Sequence, residues 1–209
     1  MTTKVFTDES EVIPLLIKMR LPRHVLLELA SKVAGERANV AECEPTAVVG
    51  FETWRWGTRF SREDETLKKL AWVSCDRDQV NGIRNPDIGI KLVVCSTDLN
   101  TGNLVKAPKN ITERGPASCK LIGANSQQIK MDFIAEGPND ELWYLCLHLS
   151  DKWIAIEVSR PDSEIGGVIN NFSHRIVVAP PGEIPGIRKV VVSEDFADVP
   201  RPQVERKRG

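Results

Sequence analysis

Long apolar runs, histidine and tyrosine are all scarce in this chain. No stretch approaches the roughly 20 consecutive apolar residues that would cross a bilayer, so no membrane segment is expected. There is no internal repeat and no low-complexity tract, which excludes solenoid and collagen-like architectures. Charge of one sign is not in excess: 28 Lys and Arg face 29 Asp and Glu, a net of −1, which excludes a histone-like nucleic-acid coat. The opening MTTKVFTDESEV has acidic residues where a secretory signal needs a basic start and an apolar run, so no such signal is expected.

The usual signatures of chemistry are missing as well. There is no GxxxxGK[ST] and no GxGxxG after a strand, so neither phosphate loop is present. The three histidines, His24, His148 and His174, have neither HExxH nor HxH spacing, and no GxSxG occurs. Five cysteines, an odd number, have no CxxC pair. They read as reduced thiols of a cytoplasmic protein, with no metal or other cofactor expected.

What is present suits a folded protein. At 209 residues and 41% hydrophobic, the chain can bury roughly 70% of its unfolded surface without staples. Its character changes near residue 71. Helical spacing dominates before that point, with helices expected near 12–19, 23–34 and 47–70. Pro14 belongs in a first turn, Gly35 reads as a terminator and Thr46 as an N-cap. In the third helix Val49, Thr53, Trp56, Phe60 and Leu67 form an apolar stripe, and Arg55, Arg59 and Arg62 a basic one beside it.

Beyond residue 71, eight strands are expected: 71–75, 88–96, 117–123, 127–134, 142–149, 153–159, 175–179 and 188–193. Asn125–Ser126 and Asp151–Lys152 read as hairpin turns. The second turn would set Leu149 opposite Ile154, Leu147 opposite Ile156 and Leu145 opposite Val158, a continuous apolar face. No long helix follows a strand, so βαβ crossovers are not expected. The fold expected is α+β: N-terminal helices packed on a mostly antiparallel twisted sheet or half-barrel. It forms one domain over 1–198 (helical 1–70, β 71–198), followed by a basic, flexible tail at 199–209.

The segments ETWRWGTRF, STDLNTGN, ERGPA, WYLCLHL, IEVSRP and RIVVAPP, over roughly residues 47–181, carry a resemblance. The chain resembles an uncharacterised group of bacterial proteins of no assigned activity. The resemblance implies a bacterial source or a mobile element, and no catalytic or binding residue.

Several residues nonetheless invite chemical readings. The hairpin register sets Glu157 diagonal to His148, an arrangement that suits an acid/base couple; a hydrolase could be built on the two, with Asp132. A cross-strand pair on a half-solvated sheet face is the preferred explanation of the two. Asp87 follows proline ahead of a strand, as in one class of nuclease, but the second carboxylate and lysine are not in place. Asp98 to Asn103 begins like a calcium loop and lacks the closing glutamate; local turn hydrogen bonds explain it. The roles of this loop and of Glu113 to Pro116 stay open.

The leading expectation is therefore a non-enzymatic interaction or accessory protein of a bacterial cytoplasm. It would dock a protein partner, or a second copy as a homo-oligomer, through Phe51, Trp54, Arg55, Arg59 and Arg62, since Trp and Arg concentrate where partners bind. The alternative is nucleic-acid binding, with Arg55, Arg59, Arg62 and the tail residues Arg206, Lys207 and Arg208 tracking phosphates.

Overall fold

A computed structural model describes residues 2–40, 43–76, 80–129, 140–150 and 153–182, with backbone alone for Thr46 and 127–129. In chain order the elements are β1 (Lys4–Phe6), α1 (Glu9–Lys18), α2 (Arg23–Arg37), α3 (Thr46–Glu63), α4 (Glu65–Lys69), β2 (Val73–Cys75), β3 (Gly82–Asn85), β4 (Ile90–Ser96), α5 (Pro116–Ile129), β5 (Glu141–Leu149), β6 (Ile154–Ile165) and β7 (Val168–Gly182). The strands form one open sheet in the order β1-β7-β6-β5-β4-β3-β2. Among the described residues no helix is long and apolar enough to cross a membrane.

The N-terminal helices form with shifted ends. α1 starts at Glu9, so Pro14 lies inside it, where the ring removes a backbone donor. Val12 and Leu16, one turn apart, are buried, while Ile13 and Ile17 face outward. Gly35 does not end α2, which continues to Arg37. Thr46 is the first residue of α3 and Pro45 its cap. The helix expected over 47–70 is two helices: Asp64 turns extended, and its carboxylate accepts the Leu67 N–H at 2.9 Å, which caps α4.

The β5–β6 register agrees with the sequence reading: Leu149, Leu147 and Leu145 sit opposite Ile154, Ile156 and Val158. The turn at Asp151–Lys152 lies outside the described residues. The following hairpin is longer than expected. β6 runs on to Ile165 and β7 starts at Val168, joined through Gly166 and Gly167 at φ of 59° and 80°. Only glycine takes two successive positive φ values without strain, and a two-residue hairpin turn of this hand requires them.

Other strand expectations fail. Residues 117–123 are helix, within α5, and Asn125–Ser126 lies in that helix rather than in a turn. Residues 127–129 close the same helix; 130–134, 188–193 and the tail lie outside the described residues. α5 thus joins β4 to β5, which pair in parallel, so a βαβ crossover is present against expectation. β1 and β7 are parallel too, while β2–β3, β3–β4, β5–β6 and β6–β7 are antiparallel. The sheet is mixed and not closed, so the expectation of a mostly antiparallel sheet holds only in part: four pairings are antiparallel and two parallel. α+β holds as the coarse class.

The two faces of the sheet differ in chemistry. Leu92, Val94, Leu145, Leu147, Ile156, Val158, Ile176 and Val178 meet Leu26, Leu29 and Val33 of α2 in an apolar core. The other face carries Cys95, Tyr144, Cys146 and Phe172 beneath Ile122 of α5. Glu157, Ser159 and Arg175 are buried as well, and their polar groups must find partners within the protein.

Candidate docking surface

α3 packs by its smallest residues. Gly50, Thr53, Gly57 and Ser61 recur three or four apart and are buried. A Cβ on Gly57 would fall 2.7 Å from Val94 Cγ1, so the helix rests its backbone on β4. The apolar stripe read from sequence is set to one side of this seam. Thr53 is fully buried in it, while Trp56 and Phe60 are only partly buried and stack on each other with centroids 5.4 Å apart. Bulky side chains mark the stripe in the sequence, whereas the small residues that permit close approach carry no such mark.

The outer face presents aromatic and basic groups together. Phe51 is 53% exposed and tilts against Trp54, with ring centroids 5.6 Å apart. The Arg55 and Arg59 guanidinium carbons lie 4.8 and 5.1 Å from the Trp56 ring centroid. Each has a carboxylate on its own helix: Arg55 donates to Glu52 at 3.1 Å, and Arg59 to Glu63 at 2.8 Å. Both arginines stay about half exposed, so these pairs leave them open to a partner. A shallow depression of about 310 Å³ is lined by Trp54, Arg55, Thr58, Arg59, Arg62 and Glu63 with Asn81.

Arg62 is the exception. Its Nε donates to the Gly82 carbonyl at 3.2 Å and its Nη2 to that of Cys75 at 3.3 Å, with Asp76 beside it. It staples α3 to β2 and β3, and of the five residues expected to dock a partner, Phe51, Trp54, Arg55 and Arg59 have no such contact with the neighbouring strands among the described residues.

The remaining sequence candidates have other partners. His148 Nδ1 bonds the Thr97 carbonyl at 2.9 Å, and its ring packs on Trp153 at 4.5 Å. Glu157 is held by Arg175, Ser159 and the Gly102 N–H. The two share a sheet face without sharing a hydrogen bond, and the acid/base couple is not assembled. Asp87 pairs with Arg20 at the surface. Asp98 accepts from the N–H groups of Asn100 and Lys109, each at 3.1 Å, which makes its loop a local turn. Among the described residues no three His, Cys, Asp or Glu side chains could together hold a metal ion. Asp132, Arg206, Lys207 and Arg208 lie outside the described residues.

One feature of the loop from Glu113 to Pro116 was not legible in sequence. The Arg114 N–H donates to the Gly167 carbonyl at 2.7 Å, and its guanidinium turns inward, with Nη2 3.4 Å from Cys95 Sγ. No periodicity flags this contact, because it joins a loop to a strand 19 residues earlier.

The molecule so described is an α+β protein with an open seven-stranded mixed sheet between helices. No protein-family model, curated protein or solved structure matches the chain.

Proposed function

We propose that the chain is an interaction or accessory protein that docks a protein partner through the outer face of α3. The observation that carries the reading is the exposed Phe51 ring, set against a partly buried Trp54, beside two half-exposed arginines. Aromatic rings supply apolar area at low entropy cost, and arginine supplies directional donors. A second copy is the less favoured occupant. An antiparallel pair of α3 helices crossing at the level of Gly57 would set Arg55 against Arg59, so the two half-exposed arginines of each copy would meet like charge. A partner with carboxylates around an apolar side chain suits the surface better.

The test is site-specific photo-crosslinking from position 51 in extract of the source cells, with sedimentation of the purified chain. A discrete crosslinked protein, lost in Trp54→Ala and Arg59→Glu, is the expected result. A crosslink to this same chain, with a dimer in sedimentation, would replace the partner by a second copy. Binding to DNA or RNA that falls steeply with salt and is lost in Arg55→Glu/Arg59→Glu would instead favour the nucleic-acid reading. Absence of any crosslink overturns the docking surface.

A further inference from the structure

On the sheet face beneath α5, three neighbouring strands bring Cys95, Cys146 and Glu157 into one row: Cys95 pairs with Cys146, and Cys146 with Glu157. Paired residues on adjacent strands lie about 4.8 Å apart, inside the roughly 4.4–6.8 Å that a disulfide accepts between Cα atoms. Both thiols are free and buried. A cation stands over one end of the row. Arg114 Nη2 bonds Cys95 Sγ at 3.4 Å, its guanidinium lies 5.5 Å from the Tyr144 ring centroid, and its Nε has no partner. Among the described residues Arg114 makes no ion pair with a carboxylate. A largely buried guanidinium without a counter-charge is costly, and the one group bonded to it that can become an anion is Cys95.

We propose that Cys95 and Cys146 form a peroxide-responsive dithiol, with Cys95 the attacking thiolate, Cys146 the resolving thiol and Arg114 the residue that positions and charges Cys95. The proposal is independent of the docking surface. The groups around the pair sort the two roles. The hydrogen bond from Cys146 and the Arg114 charge hold the Cys95 thiol below its usual range, against burial and Glu157. Burial, the same hydrogen bond, and the Cys95 and Glu157 charges push Cys146 up, with Arg175 opposing them. Tyr144 on β5 and Cys119 on α5 lie nearby; burial pushes both pKa values up, and at Cys119 the Glu164 carboxylate adds to the rise. The loop that carries Arg114 lies at the surface, with Glu113, Gly115 and Pro116 exposed, and is the part of the molecule that joins the buried pair to solvent-facing chain.

The chemistry closes with hydrogen peroxide as the oxidant. The Cys95 thiolate attacks one peroxide oxygen, the O–O bond breaks, and Cys95 sulfenic acid and hydroxide result. Cys146 gives its proton to that hydroxide, forming water, and its sulfur attacks Cys95. The S–S bond forms, the S–O bond breaks, and a second hydroxide leaves to be protonated by solvent. Two thiol sulfurs are oxidised by one electron each, and one peroxide is reduced by two.

Disulfide mapping on the full wild-type chain decides the matter without any variant. After hydrogen peroxide treatment, denaturation and alkylation, mass spectrometry should find a Cys95–Cys146 cross-link. Recovery of both as free thiols while Cys43 is oxidised overturns the proposal. In Cys146→Ala a sulfenate trap should label Cys95; labelling elsewhere overturns the assignment of roles. Thiolate absorbance of the folded chain at neutral pH should be lost in Cys95→Ala, and its absence from the wild type also overturns the proposal. Arg114→Met should slow cross-linking about tenfold or more, and Arg114→Lys should restore most of the rate. Equal rates in all three proteins would remove Arg114 from the scheme.

Discussion

Arg175 grips the Glu157 carboxylate with two parallel hydrogen bonds, Nε to Oε1 at 3.0 Å and Nη2 to Oε2 at 2.6 Å, and both residues are buried. The Ser159 hydroxyl donates to Oε1 at 2.7 Å and the Gly102 N–H to Oε2 at 2.8 Å. Arg175 also donates to the Lys106 carbonyl at 3.3 Å. The pair therefore ties the loop after β4 to the middle of the sheet. Removing one partner leaves the other buried and uncompensated. Arg175→Met should cost about 3–5 kcal/mol in urea unfolding. Glu157→Leu/Arg175→Met should lose less than the sum of the two single variants. Additivity of the two losses within about 0.5 kcal/mol would show that the pair is not coupled.

The seat of α3 on β4 gives a second prediction. Gly57→Ala gains up to about 1 kcal/mol of helix propensity, but its methyl meets Val94 at 2.7 Å inside a packed sheet. Overpacking there should prevail, with a net loss of about 1–2 kcal/mol. Val94→Ala opens the space, so the double variant should unfold at a higher denaturant midpoint than Val94→Ala alone. A Gly57→Ala single variant more stable than wild type would mean that the helix can lift off without cost.

The turn between β6 and β7 separates two kinds of glycine requirement. Gly166 has φ of 59° with nothing within 4 Å of an added Cβ, so Gly166→Ala should cost only the backbone strain of about 1 kcal/mol. At Gly167 the added Cβ would also lie 2.8 Å from the Arg114 carbonyl oxygen. Gly167→Ala should therefore lose clearly more, about 2–3 kcal/mol, by displacing the Arg114 loop. Equal midpoints for the two alanine variants would count against that docking.

Acid should destabilise the protein through His174. The ring sits half-buried, with the Phe6 ring centroid 6.3 Å away and that of Trp143 at 6.2 Å. Burial, then the Arg160 and Lys4 charges, lower its pKa below the ordinary 6.5. The unfolded chain then takes up the proton at a higher pH than the folded one does. Stability contributed by neutral His174 is present above about pH 6.5 and falls as pH drops through that value toward the folded pKa. Urea midpoints at pH 7.5 and 5.5 should diverge more in wild type than in His174→Gln. The same divergence in both would assign the acid sensitivity to other groups.

How much of this was readable in the residues varies by element. The β5–β6 register was, because period-two alternation of Leu145, Leu147 and Leu149 against Ile154, Ile156 and Val158 leaves one pairing that buries them all. α2 was legible for the matching reason at period 3.6. α5 was not: its apolar residues are sparse enough to suit either period, and the usable signal was Pro116 at its first position. The Gly166–Gly167 pair is itself a turn signal in the sequence, and it sets where the last hairpin reverses. In the candidate docking surface, Phe51, Trp54, Arg55 and Arg59 were placed on a helix by spacing alone, while the withdrawal of Arg62 depended on backbone carbonyls 13 and 20 residues further on.

Local periodicity and propensity thus determined which segments become helix or strand and which side of each is apolar, since those properties belong to neighbours in the chain. Tertiary structure alone decided that β4 and β5 run parallel, that Glu157 meets Arg175, and that Arg114 reaches Cys95. Buried polar groups carry no periodic mark. Their positions follow from the requirement that each donor and acceptor excluded from water find a partner, and that partner can lie anywhere along the sequence.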